Sequence, residues 1–393
     1  MRRVPGYWRV AAVYALSFGA TALFITHLNQ FLLDAGFSGA EVGNMYAVAN
    51  LGGLLVVPLL SSLADRSGRH RGVLRGALLV ESAAMLVTGL AFAPLLIVLN
   101  VVVARSVLRL DVAIRDRLTL HWLSEQGSQA YGGLRLWGSL GFAALALAGG
   151  AVAEIVGARA LFGVAAVLVL LVAMLARVFA PCLPARETPP KGVPRLRWPP
   201  GDLSPALLVI LLVTALAALA VSATSGWSYT MIEFELGGGK SAVGLYSSLA
   251  ALVEIPIMLT VDRLLRRRSA ATVWVAGMLL WSAGHGLLSL AQAPWQGLVA
   301  AVVVGAGQGF TIVTPVVYVG QVSRPTNTAF NLALMGVFSA LGMTIASPVM
   351  GYLYDSAGIR VVLQAGVVLM LLAAVALVAG AAFLRRQAAQ PTT

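Results

Sequence analysis

Charge is scarce in this sequence. Asp, Glu, Lys and Arg together make up 11% of its 393 residues, whereas a soluble domain carries about 25%. That shortage excludes a chain solvated mainly by water. Cys182 is the only cysteine, which excludes an intrachain disulfide and a thiolate cluster, so no metal site is expected. No Gly-x-Ser-x-Gly elbow, Walker loop or His-Glu-x-x-His helix occurs. Covalent catalysis and ATP-driven pumping by this chain alone therefore have no support, and neither an enzyme nor a cofactor is expected. Acidic residues number 15 against 27 basic ones, a net charge of +12. The arginines sit in short segments between alternate apolar runs, the distribution of cytoplasmic loops in a membrane protein. No nucleic-acid partner is expected.

Apolar length is what the chain has in abundance. Hydrophobic residues make up 59% of it, mean hydropathy is +0.88, and 41 glycines offer places for close helix contact. A spanning helix needs about 20 mostly apolar residues. Twelve such runs occur, near 8–31, 42–63, 73–92, 95–116, 133–154, 159–179, 205–228, 242–261, 271–290, 295–319, 328–350 and 359–384. Met1-Arg2-Arg3 resembles the start of a signal peptide, but no small-residue cleavage site follows, so the first run reads as an uncleaved span. Basic residues crowd the chain ends and the 66–75, 115–135, 177–204 and 263–268 segments, while only Arg159, Lys240 and Arg360 fall on the opposite side. The asymmetry predicts a multi-pass protein of the cytoplasmic (inner) membrane, in contact with lipid, with both termini in the cytoplasm.

The chain also repeats itself. Asp65-Arg66-Ser67-Gly68-Arg69 recurs as Asp262-Arg263-Leu264-Leu265-Arg266, half the chain length away, each copy following an apolar run that holds a proline, Pro58 or Pro256. Duplicated membrane bundles of this sort mark secondary transporters. The predicted fold class is an all-α membrane protein, with twelve transmembrane helices in two pseudo-symmetric six-helix bundles. Residues 1–179 form the first bundle, 180–204 a cytoplasmic linker and 205–393 the second. Seven prolines between Pro181 and Pro200 keep the linker extended.

Ser61-x-x-x-Asp65-Arg66-x-Gly68-Arg69-His70-Arg71 resembles the loop between helices 2 and 3 of the major facilitator superfamily. The second copy keeps Asp262, Arg263, Arg266 and Arg267, with Leu265 in the glycine's place. The resemblance implies a cytoplasmic gate of Asp65, Arg66, Gly68, Arg69, Asp262, Arg263 and Arg266, in which each aspartate caps a neighbouring helix and pairs with arginine. Plain positive-inside topology also accounts for the arginines, though not for an aspartate placed twice. Tyr131-Gly132-Gly133-Leu134-Arg135-Leu136-Trp137-Gly138 resembles the start of helix 5 in the lactose-permease, phenylpropionate-permease and nucleoside-symporter branch. Phe31-Leu32-Leu33-Asp34-Ala35-Gly36-Phe37 is similar to that branch's first periplasmic loop. Ala251-Leu252-Val253-Glu254-Ile255-Pro256 resembles helix 8 of the branch, and still more that of bacterial sugar efflux transporters. The branch resemblance implies a helix-4 carboxylate and a helix-5 arginine holding a sugar, with Arg135 matching by motif and Asp116 by spacing.

The buried charges are the remaining candidates. An ionised carboxylate at mid-span costs at least about 2.5–3.5 kcal/mol, and protonation relieves that cost. Glu254 is therefore the leading proton-coupling residue, with Asp116 the second; a structural carboxyl bonded to a neighbouring helix is the other reading of Glu254. Asp116 and Arg135 likewise read either as substrate ligands or as an ion pair. Arg105, Arg109 and Asp116 share one face of the fourth run. Glu81 in the third run is the expected partner of Arg105, making Glu81, Arg105 and Arg109 an intramembrane ion-pair group. His27 and Asn29 at the outer end of the first run, and Gln308 among glycines in the tenth, join Arg135 as candidate substrate ligands. Gln308 fits an interhelical bond equally well. The expected function is secondary transport of a small polar solute (sugar, oligosaccharide or nucleoside), coupled to protons, by a monomer. Proton-driven efflux of drugs or amphipathic compounds is the alternative.

Overall fold

The computed structural model describes residues 6–126, 131–179, 204–324 and 327–389. Apart from Ser204, the expected linker at 180–204 lies outside the described residues. An apolar chain in lipid must satisfy its backbone N–H and C=O groups within itself, which favours helices. Every regular element among the described residues is helical. Twelve long helices run in order: α1 (Tyr7–Asp34), α2 (Gly39–Ser67), α3 (His70–Leu90), α4 (Pro94–Glu125), α5 (Tyr131–Val156), α6 (Ala158–Leu175), α7 (Pro205–Thr224), α8 (Gly239–Leu265), α9 (Ala270–Leu290), α10 (Pro294–Val322), α11 (Thr328–Ala357) and α12 (Ile359–Ala389). Helix α7 continues past a break at Gly226 (φ 85°) through Trp227–Thr230 and a π-helical turn, Met231–Glu235. Eleven of these segments are long and apolar enough to cross a membrane among the described residues. The twelfth, α4, is 32 residues long but interrupted by charge at Arg105, Arg109, Asp111, Arg115, Asp116 and Arg117.

The chain divides into two compact units. The first comprises Met1–Phe37, Asn44–Val193 and Gly238–Ala251; the second comprises Ser38–Gly43, Pro194–Gly237 and Leu252–Thr393. Thus the first turn of α2 belongs to the second unit, and the first half of α8 to the first. In the first unit α1 packs on α5 and α6, and α3 on α4 and α6. In the second, α7 packs on α11 and α12, and α9 on α10 and α12. Each pairing recurs six helices later, so the repeat read from two short loops extends to the packing. The second unit's core includes Leu207, Ile210, Trp274, Met278, Trp281 and Met370, all nearly inaccessible to solvent.

Local devices recur too. Pro94 and Pro294 open α4 and α10 at the first helical turn, where proline's missing N–H is harmless. Gly157 (φ 81°) and Gly358 (φ 84°) turn the chain between the last two helices of each set of six. Two residues later an arginine reaches back to a helix end. Arg159 donates to the carbonyls of Gly89 and Ala91 at 3.2 and 2.6 Å, and Arg360 to that of Ser289 at 2.9 Å. These arginines satisfy the orphan carbonyls ending α3 and α9. A second pair sits at helix starts. In the second unit Asp355 accepts from the backbone N–H of Gly39 and Ala40 at 2.7 and 2.8 Å. In the first, Glu154 accepts from that of Ser241 at 3.0 Å. A carboxylate there meets the positive end of the helix dipole.

Helices approach most closely where side chains are missing. In the first unit α5 and the start of α8 cross at Gly150 and Gly244. A Cβ on Gly150 would lie 2.8 Å from the Gly244 Cα and 2.7 Å from the Lys240 carbonyl oxygen. Gly244→Leu is expected to cost about 1–3 kcal/mol or more by overpacking and to lower the unfolding temperature of the detergent-purified protein. Gly163→Ala, where a Cβ meets nothing within 4 Å, should leave it unchanged or raise it. Equal unfolding temperatures for both variants would show that the crossing is loose.

Candidate functional site

Polar side chains inside the first unit gather where α4 passes α1, α2 and α3. Asp111 and Arg115 are one helical turn apart on α4, the spacing at which side chains meet. The Arg115 Nη1 donates to Asp111 Oδ2 at 2.8 Å, and Ser17 Oγ of α1 donates to the same oxygen at 3.4 Å. The guanidinium lies 5.2 and 5.0 Å from the ring centres of Tyr14 and Phe18. Glu81 of α3 brings a second carboxyl under the influence of both Asp111 and Arg115. Exposure is 2% for Glu81, 3% for Asp111 and 1% for Arg115, so no bulk water screens these charges.

Asp116, the residue after Arg115 on α4, is half-buried. Tyr14 Oη donates to its Oδ1 at 2.7 Å, and Tyr131 at the start of α5 also bonds it. Arg135 of α5 stacks over Phe18 at 4.1 Å. Gly138 leaves room for it, since a Cβ there would lie 3.1 Å from Arg135 Nη1. Asp116 and Arg135 thus share the Tyr14–Phe18 edge of α1, and no ion pair joins them among the described residues. A carboxylate flanked by phenols, near a stacked guanidinium, can accept and donate hydrogen bonds to a neutral hydroxylated solute.

Toward the other end of α4, Arg105 covers the Tyr46 ring at 4.0 Å, and Tyr46 Oη donates to Asn29 Oδ1 at 3.2 Å. Arg109 Nη2 donates to Asn50 Oδ1 of α2 at 2.8 Å. His27 and Gln30 on α1 are each 1% exposed. Neither His27 ring nitrogen nor either Gln30 amide atom has a hydrogen-bond partner among the described residues. Lys240 and Glu154 are the charges acting on His27. Near the opposite end of α2, Asp65 pairs with Arg117 of α4 and accepts from or shares a proton with His70 Nε2 at 2.8 Å. Arg66 and Arg69 are exposed, and Gly68 (φ 67°) turns the chain into α3.

In the second unit Glu254 of α8 and Gln308 of α10 are both half-buried. Their helices meet at Gly309, where a Cβ would lie 3.1 Å from the Glu254 carbonyl oxygen. The second loop copy differs from the first. Asp262, Arg263 and Arg266 are exposed, and no ion pair joins Asp262 to a described residue. Ser269 caps α9 instead, accepting from the Thr272 N–H at 3.2 Å. Thr260, Arg263, Leu264, Arg266 and Arg267 line a basic depression beside it.

Two sequence expectations are corrected. Glu81 does not pair with Arg105: its charged neighbours are Asp111 and Arg115, while Arg105 rests on an aromatic ring and Arg109 on an amide. The aspartate–arginine pair expected at both loop copies is found at one: Asp65 pairs with Arg117 of α4, whereas Asp262 makes no ion pair with a described residue. Sequence reasoning missed Tyr14, Ser17, Phe18, Tyr46, Asn50, Arg115, Arg117 and His70. The Asp111–Arg115 spacing was a legible signal. The contributions of α1 and α2 had none, because they depend on how neighbouring helices are rotated.

The chain matches the MFS_1-like family over residues 7–365. It is 28% identical over 346 residues to the maltose permease of Geobacillus stearothermophilus, covering 87% of this chain and 86% of that protein. Solved structures with the same fold include the nucleoside transporter NupG, with a TM-score of 0.79 at 13% identity, covering 96% of this chain and 99% of that one. The POT-family transporter PepTSo has a TM-score of 0.78 at 10% identity, covering 98% and 99%. At such identities the likeness is one of fold.

Arg115→Met keeps an unbranched apolar stem, removes the guanidinium and leaves two buried carboxyls without their cation. A loss of about 3–5 kcal/mol is expected, read as a large fall in unfolding temperature. Arg105→Met removes a cation from one ring face and should cost about 0.5–2 kcal/mol. Unfolding of Arg115→Met at the wild-type temperature would show that the pair contributes nothing.

Proposed function

The chain belongs to the MFS_1-like family and is a secondary transporter of the major facilitator type; on that premise we propose that it carries a saccharide, coupled to protons. The observation that supports this reading is the grouping of Asp116, Tyr14, Tyr131 and Arg135 on α4, α1 and α5. Tyr14 holds the carboxylate at 2.7 Å, and the guanidinium is stacked over Phe18 at 4.1 Å. Sugar hydroxyls both donate and accept, and a carboxylate beside a guanidinium answers both needs. The likeness to a maltose permease favours a saccharide over a nucleoside of similar polarity. Asn29, His27 and Gln308 are proposed as further solute ligands.

In this reading the solute site opens alternately to the two faces of the membrane, with both chain termini in the cytoplasm. Asp65, held by Arg117 and His70, belongs to the gate on the cytoplasmic side. Glu254 is the proposed coupling residue. Ionised, it resists occlusion in an apolar bundle; protonated, it accepts it. A proton bound at one face therefore licenses the solute-loaded passage and leaves at the other.

Reconstituted vesicles and labelled maltose test this. Asp116→Asn and Arg135→Gln should each reduce maltose counterflow about tenfold or more, as loss of a charge-assisted hydrogen bond of roughly 1.5–3 kcal/mol requires. Glu254→Gln should abolish accumulation driven by an imposed pH gradient while counterflow persists. Gradient-driven accumulation by Glu254→Gln would sink the coupling assignment. Drug-stabilised unfolding temperatures with no response to any saccharide would favour amphipathic efflux instead.

A further inference from the structure

The first unit contains a charge imbalance that the solute site does not use. Glu81, Asp111 and Arg115 are each at most 3% exposed. With both acids ionised the group carries two negative charges against one positive, and a net buried charge is costly by several kcal/mol. Asp111 Oδ2 is engaged by Arg115 and Ser17. Asp111 Oδ1 and Glu81 Oε2, however, have no hydrogen-bond partner among the described residues. Two acceptors left over beside one missing positive charge call for the same remedy, a proton. From this geometry we propose that Glu81 and Asp111, the latter held by Arg115, carry one exchangeable proton between them and form a proton-coupling site in the first unit. The proposal rests on the transport reading and is separate from Glu254.

The surroundings leave this proton few other places to go. From α1 the facing polar groups are Tyr14 and Ser17, and Tyr14 is committed to Asp116. From α4 the ionisable neighbours are Arg115 itself and Asp116, whose charge also acts on Asp111. On α6, Ala166 meets α3 through its carbonyl, which accepts from Ser82, and Arg159 is occupied at the far end of α3. Arg177, in the turn after α6, is the only ionisable side chain of that turn. The step is a simple exchange. A carboxylate oxygen takes a proton from water when the site is wetted, and the O–H bond breaks again when water returns. Asp116, half-buried and next to Arg115 in the chain, links the site to the proposed solute site. Solute binding there changes the charge that Asp111 feels.

Infrared spectroscopy of the full-length protein in lipid nanodiscs tests the proton directly. The wild type should show the C=O stretch of a protonated carboxylic acid at neutral pH, disappearing as pH is raised. Glu81→Gln and Asp111→Asn should each remove it, because either variant leaves one acid for one arginine. Glu254→Gln should leave that band in place. A band lost in only one variant, a band insensitive to pH, or no band at all overturns the shared exchangeable proton. In vesicles with maltose as probe, the ratio of gradient-driven accumulation to counterflow should fall at least tenfold in both variants. An unchanged ratio overturns the coupling role. Wild-type vesicles that ignore maltose would defeat the saccharide reading and leave the infrared result to decide the proton site.

Discussion

An ionised group inside an apolar bundle has to be met by polar partners from that same bundle, because neither lipid nor packed side chains can solvate it. Helix α4 carries that constraint for the first unit. Among the described residues it is the one long helix too charged to count as a spanning segment by composition, and its intramembrane charges each meet a specific partner. Arg115 faces Asp111, Arg105 a tyrosine ring, Arg109 an amide, Asp116 two phenols and Arg117 the Asp65 carboxylate. Removing one partner strands the other. Polar residues on α1, α2, α3 and α5 are therefore held in place by α4 as much as by their own helices.

Around that charged helix, the architecture is made of repeated small solutions. The same helix pairings occur in both units, and so do the glycine turn, the arginine over a helix end and the carboxylate at a helix start. The backbone contacts at Gly150 and Gly244 show why glycine is so frequent. Without a hydrophobic drive between helices in lipid, association relies on close packing and on interhelical hydrogen bonds. Pro58 and Pro256 lie inside α2 and α8 at matching places, where each withholds one backbone N–H from its helix.

The two units are not chemically equal. The first concentrates buried charge; the second presents Glu254 and Gln308 on adjacent helices with fewer ionic contacts. Its copy of the charged loop is exposed, and Asp262 has no ion pair with a described residue. Descent from one duplicated bundle accounts for the common frame, and this divergence of side chains is what allows a transporter to give its halves different tasks. The proposed solute ligands lie mostly on α1, α4 and α5, with Gln308 on α10, and the proposed coupling acids lie in both units, Glu81 and Asp111 in the first and Glu254 in the second.

The sequence by itself determined the membrane class, the twelve helices and the internal repeat, because hydropathy over about 20 residues and a recurring loop are local properties. It placed Asp116, Arg135 and Glu254 on the correct helices for the same reason, but left Asp65 in a loop, whereas α2 runs on to Ser67. It did not pair the charges. Arg105, Arg109 and Asp116 lie along one stripe of α4, yet they meet a ring, an amide and two phenols from different helices. Glu81, level with Arg105 in a hairpin drawn on paper, turns instead toward Asp111 and Arg115. Those choices depend on how each helix is rotated about its axis and how deeply it is seated. Only tertiary packing, which sums contacts from several helices at once, decides them.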